Sequence, residues 1–150
     1  MTRRVTPLLA LLAFTAGCPS ALGPTPEAFS ECHTEDGHDF TIASADSAGD
    51  PLWIDGDTLQ VSVGYGGGCE EHTFQICWPD GAFAESAPVQ ATLEIWHGGP
   101  VDNCEAWVAE TLSFDLTPLK QAWKDAYGDG AGEIVVHVEG APESVTYSFE

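Results

Sequence analysis

The sequence predicts a mainly β domain: an antiparallel β-sandwich or partly open barrel of about seven strands, with one short helix near residues 117–127. Three observations carry this. Apolar and polar residues alternate along several short stretches, as with Leu59, Val61 and Val63 against Gln60 and Ser62. Turn-forming pairs such as Asp55-Gly56 and Asp80-Gly81 separate these stretches. Helical spacing of apolar residues marks one segment, where Leu119, Ala122, Trp123, Ala126 and Tyr127 share a stripe and Lys120 and Lys124 point away from it.

In chain order, residues 39–44 form a first strand and a loop with Asp46, Gly49, Asp50 and Pro51 follows. Residues 52–54 and 58–64 flank Asp55-Gly56, a pair suited to a tight hairpin because both residues tolerate positive φ. Turn chemistry, rather than calcium ligation, accounts for Asp55 and Asp57, since the remaining oxygen ligands of a calcium loop are missing from the sequence. Residues 72–78 alternate with His72, Phe74, Ile76 and Trp78 on one face, and residues 89–97 with Val89, Ala91, Leu93, Ile95 and His97 in phase. A turn-rich loop joins the two, so they pair as a hairpin with His72 and His97 at its open end. Residues 107–115 supply another strand, Thr117 and Pro118 read as N-cap and first helical residue, and Gly128 ends the helix. Residues 133–139 and 144–149 close the domain, with Ile134, Val136 and Val138 inward and His137 on the solvated face.

The chain has room for one domain and a leader, and five Trp, seven Phe and three Tyr are enough to fill a core. Asp and Glu number 24 against 4 Lys and Arg, and two of those four, Arg3 and Arg4, precede Cys18. From Cys18 onward the formal charge is therefore −22. A surface of that sign repels phosphate backbones and anionic lipid, which argues against nucleic acid as a partner.

Residues 1–17 have the parts of an export signal: the basic pair, an apolar run from Leu8 to Phe14, and the small residues Ala16 and Gly17. The run is too short for a permanent span. With Cys18 directly after it, this stretch resembles the bacterial lipoprotein signal, which implies that Cys18 is lipid-modified and anchors the chain in a membrane. Pro19 in place of Asp after the cysteine favours the outer membrane by the same resemblance. Thr15 stands where that family prefers Leu, so a periplasmic or secreted product is the alternative. Residues 18–38, rich in Pro, Ser, Thr and Glu, read as a tether whose last part Cys32 pins to a domain of residues 39–150.

Cys32, Cys69, Cys77 and Cys104 remain, an even number in an exported chain, and allow three pairings. The hairpin brings Cys69 and Cys104 to one end, so the preferred scheme joins them and leaves Cys32 with Cys77. The same end gathers Cys69-x-x-His72 and His97-x6-Cys104, the ligand types of a closed zinc site. An oxidising compartment favours disulfides over thiolate ligands. His72 and His97 then stand as the candidate pair for a copper or zinc ion. No cofactor is otherwise expected. Nucleophile-elbow, HExxH and phosphate-loop motifs are absent from the sequence, and the glycines of GYGGG read as a bulge or tight turn rather than a nucleotide cradle.

The segments GYGGGCEEHTF, LEIWH, DNCEA and LSFDLTPL are similar to a pattern in NigD-like and related bacterial lipoproteins. The resemblance covers about residues 58–119. It implies a C-terminal β-sandwich with Cys69 and Cys104 as a recurring pair, and it lends no activity. The expectation is thus a lipid-anchored, extracytoplasmic and non-enzymatic interaction or envelope-structural module with a protein or envelope partner. The alternative is a periplasmic copper- or zinc-binding protein using His72 and His97.

Overall fold

The computed structural model describes residues 29–43 and 50–150. The expected signal peptide and Cys18 lie outside the described residues. The elements are β1 (Thr41–Ile42), β2 (Leu52–Asp55), β3 (Thr58–Gly67), β4 (Thr73–Cys77), β5 (Val89–Gly98), β6 (Ala106–Asp115), α1 (Thr117–Tyr127), β7 (Gly132–Val138) and β8 (Val145–Phe149). They form two four-stranded sheets. In the first, β1 and β2 follow one another along one edge of β3, and β6 pairs with the whole of the other edge. The second has the order β4-β5-β7-β8. This is the β-sandwich or partly open barrel that the alternation predicts. No helix among the described residues is long and apolar enough to cross a membrane.

The core follows from strand periodicity. Leu59, Val61, Val63 and Tyr65 of β3 face inward with Ala91 and Leu93 of β5, Ile134 and Val136 of β7, and Tyr147 of β8. Leu116 and Leu119 close the same core from the start of α1. Burying a side chain of this size contributes about 1.5–3 kcal/mol, so this inner layer is the main favourable term.

Three local features depart from the sequence reading. The hairpin turn is Gly56-Asp57, because Asp55 pairs with Thr58; Gly56 has φ 60°. Asp57 is held at the turn from outside it: its Oδ1 accepts from the Tyr147 hydroxyl at 2.6 Å and its Oδ2 from the Lys120 ammonium. The helix N-cap is Leu116 rather than Thr117; its side chain makes no capping hydrogen bond, and the Thr117 N–H donates instead to Asp115 Oδ1 at 2.8 Å. Finally, β7 runs parallel to β5, with Val89 opposite Ile134. After β5 the chain crosses to the other sheet as β6 and returns through α1, the kind of long connection a parallel pair requires.

Residues 29–38 lie along β4 and the end of β5 in the second sheet. Cys32 is bonded to Cys77, and the Ser30 hydroxyl donates to Ile76 O at 2.8 Å. The His33 ring stacks on Trp96 at 3.7 Å. The Trp96 indole N–H donates to Glu35 O at 3.3 Å. His137 is half-buried, with Nε2 2.9 Å from Gln90 Oε1.

Candidate functional site

β4 and β5 are antiparallel neighbours with Phe74 opposite His97, which sets His72, just before β4, beside the end of β5. The Gly64-Tyr65-Gly66-Gly67-Gly68 run carries β3 to the same end. Gly67 and Gly68 have φ 142° and 107°, values an L side chain rarely adopts, and there the chain leaves the strand toward Cys69. A Cβ on Gly67 would fall 2.9 Å from both Asp102 Oδ2 and His72 Nε2. The glycine is therefore the condition for a close approach of backbone to a polar cluster, rather than a bulge within the strand.

The cluster is a chain of hydrogen bonds. His72 Nδ1 lies 2.8 Å from His97 Nε2, and His72 Nε2 lies 3.3 Å from Asp102 Oδ2. Asp102 Oδ2 also accepts from the backbone N–H of Cys69 at 2.9 Å and of Glu70 at 3.0 Å, while Oδ1 accepts from the N–H of Cys104 at 2.8 Å. One carboxylate thus ties together the two loops that the Cys69–Cys104 disulfide joins covalently. The N–H groups of Cys104, Glu70 and Cys69 hold the Asp102 carboxyl well below the usual carboxylate range.

His97 is 1% exposed. Its ring stacks on Phe74 with centroids 4.2 Å apart and planes 7° from parallel, and Tyr65 meets it edge-on at 4.7 Å. Burial, and secondarily the neighbouring His72, pushes the His97 imidazole below its ordinary pKa, while the backbone of Asp39 and His38 opposes this. Its Nδ1 nevertheless makes no hydrogen bond of acceptable geometry. His38 packs edge-on against both rings, at 5.4 Å from His97 and 5.8 Å from His72. Its Nε2 is 2.9 Å from Gly99 O, and its backbone N–H donates to His97 O at 2.7 Å. Tyr65 completes the wall by donating to Glu110 Oε1 at 2.7 Å; burial first, then that bond, pushes its hydroxyl up to about 12.

His72 and His97, the pair expected from the sequence, are therefore brought together, and both cysteine pairs form as preferred, Cys69 with Cys104 and Cys32 with Cys77. As a metal site the arrangement fits poorly, because His72 Nδ1 and His97 Nε2 are spent on each other and His72 Nε2 on Asp102. Among the described residues, three or more donor atoms of His, Cys, Asp or Glu come within 4.8 Å of one another in two places, Cys32–Cys77–Glu94 and Cys69–Asp102–Cys104. Both sets draw two of their members from a disulfide. Asp102, His38, Tyr65 and Glu110 are the members that sequence reasoning missed. Asp102 had a signal: an Asp two residues before a cysteine can accept that residue's N–H in an Asx turn. His38 has none, because in the sequence it stands at the end of the tether of residues 18–38.

No protein-family model matches the chain, and no curated protein matches it. Among solved structures, it is similar to a crystal structure from Parabacteroides distasonis of a protein named as toxin-related, at 20% identity and a TM-score of 0.44. That likeness covers 77% of this chain and 51% of the other, so the chain spans about half the length of that structure, and it carries no functional inference.

Proposed function

We propose that this chain is a non-enzymatic, lipid-anchored β-sandwich of the bacterial cell envelope that serves as an interaction or structural module. The observation that carries this reading is how the chemically capable groups of the buried cluster are used. Asp102 takes three backbone N–H groups and His72, both ring nitrogens of His72 have partners, and the nearby thiols are oxidised. Such a cluster holds one end of a sandwich closed and leaves no free thiol, and of the His72 and His97 ring nitrogens only the fully buried His97 Nδ1 is without a partner. The export signal, Cys18 and the similarity to NigD-like lipoproteins support the address. Fractionation tests the anchor: the parent protein is expected with the outer membrane and a Cys18→Ser protein in the soluble fraction. A Cys18→Ser protein that stayed with the membrane would sink the anchored reading. A His97→Phe protein of unchanged stability would sink the structural reading of the cluster.

The buried, partnerless Nδ1 of His97 favours a second reading, a periplasmic copper- or zinc-binding protein using His72 and His97. An ion there requires the His72–His97 hydrogen bond to open. Metal analysis of protein purified without an affinity tag decides it. Stoichiometric copper or zinc that is lost in a His97→Ala variant supports this reading, and protein without metal after incubation with either ion rejects it.

A further inference from the structure

At the opposite end of β5 from the histidine cluster, a cleft of about 940 Å³ opens between the β4–β5 loop, the last turn of α1, and the ends of β7 and β8. Its apolar lining combines the aromatic residues Trp123, Tyr127 and Phe149 with small aliphatic side chains such as Val89 and Ala131. Trp123 lies 5.5 Å from Tyr127 and 5.4 Å from Phe149, ring centroid to ring centroid, and Tyr127 remains 44% exposed. Gly132 keeps this lining in place: a Cβ there would fall 2.8 Å from ring atoms of both Phe149 and Trp123. The charged side chains lining the cleft are Glu85 and Glu133, and no Lys or Arg lines it. Tyr127 donates to Glu85 Oε1 at 3.2 Å, which sets that carboxylate beside an aromatic residue of the cleft, and Ser148 donates to Glu133 Oε1 at 3.3 Å at its rim.

We infer that this cleft binds a lysine- or arginine-bearing peptide segment of a partner protein. Exposed aromatic faces carry negative quadrupole density and attract a cation laid over them, and flanking carboxylates complete the charge match. The aliphatic stem of a lysine or arginine covers the apolar part of the lining while its head meets the carboxylates. Volume and lining suit a ligand of this kind. The acidic surface of the whole chain, −20 formally, steers cationic partners toward it and disfavours a second copy of the chain as the occupant. The inference rests on the interaction-module reading but is independent of Cys18 lipidation, so a failed fractionation experiment and a failed binding experiment are distinguishable.

The test is isothermal titration of the exported full-length protein with three synthetic peptides of equal length: one alternating Lys and Leu, one alternating Glu and Leu, and one alternating Ser and Leu. Binding of the lysine peptide alone is expected. Loss of a cation–π or carboxylate contact is expected to weaken it about fivefold to tenfold in Tyr127→Ala, and similarly in Glu85→Gln/Glu133→Gln, which keeps the aromatic lining. A control that removes two exposed charges from the far end, Glu71→Gln/Glu105→Gln, is expected to change affinity by less than about twofold at 0.15 M salt. The inference is overturned if the lysine peptide does not bind or the Glu or Ser peptide binds as well. Unchanged affinity in both cleft variants would overturn it too. So would an equal loss in the far-end control, which would mark the attraction as a property of the whole acidic surface.

Discussion

Replacing Cys69 and Cys104 together by Ala removes the covalent half of the closure at the histidine end and leaves the Cys32–Cys77 bridge intact. The bridged residues are 35 apart in sequence. On the chain-entropy model a loop of that length withholds about 4 kcal/mol of freedom from the unfolded chain, so its removal shifts the folded-to-unfolded ratio roughly a thousandfold. Asp102 still binds the backbone of both cysteine loops, so the native state is expected to keep its form and most of the loss to fall on the unfolded side. For a domain of about 110 residues the loss corresponds to a midpoint about 15–20 °C lower. The measurement is guanidinium denaturation of both proteins under non-reducing conditions, followed by tryptophan emission. A lower midpoint with a slightly larger m-value is expected, because the freed chain exposes more surface on unfolding. A difference below about 1 kcal/mol would refute the reasoning, since it would mean that the closure is not what limits the unfolded ensemble.

Three further outcomes follow from particular bonds. His97→Phe keeps the ring stack on Phe74 but leaves His72 Nδ1 without a partner; a loss of about 1–3 kcal/mol is expected in chemical denaturation. The same variant carries a pH signature. Because His97 has a lowered folded pKa, its contribution is full above the ordinary imidazole value near 6.5 and is lost as pH falls toward the folded value. The parent's melting temperature should thus decline below about pH 6.5 and the variant's should decline less, and parallel curves would contradict the assignment. Tyr147→Phe deletes the donor to Asp57, a partly exposed carboxylate, at an expected cost of about 1 kcal/mol in thermal unfolding. The Lys120 and Tyr147 bonds lower the Asp57 pKa, so that stability is present above the ordinary aspartate value near 3.9 and disappears as pH falls through the folded value; the variant should show a smaller acid loss. Gly67→Ala forces a side chain into a positive-φ position and toward Asp102 and His72, with about 1–3 kcal/mol of backbone strain expected by denaturation.

The parts of the fold that were legible in the sequence are those governed by alternation. β3, β5 and β7 bury every second residue, so Leu59, Val61, Leu93, Ile134 and Val136 announce both strand and face. The β4–β5 hairpin followed from proximity, and with it came the meeting of His72 with His97 and of Cys69 with Cys104. The parallel β5–β7 pair did not follow, because the period of a strand records which side is buried and not the direction of its neighbour. Nor did the role of Asp57, whose bonds to Lys120 and Tyr147 span 63 and 90 residues.

Asp102 shows why the candidate site was only half legible. In the sequence it is one of 24 acidic residues, and nothing in its spacing to His72 marks it. Its role arises because Gly67 and Gly68 turn the end of β3 so that the N–H groups of Cys69 and Glu70 point toward it, while the Cys104 N–H meets its other oxygen. Sequence spacing exposes residues that act within one element. A carboxylate gathering donors from two loops whose cysteines lie 35 residues apart becomes visible only once the sheet has brought those loops together. The cysteines are the exception, because a covalent pair must be even in number and close in space, and that constraint can be counted along a chain. His97 lies between the two cases: its phase in β5 foretold burial on the apolar face, but the partner that makes burial of an imidazole tolerable, His72 backed by Asp102, came from outside its strand.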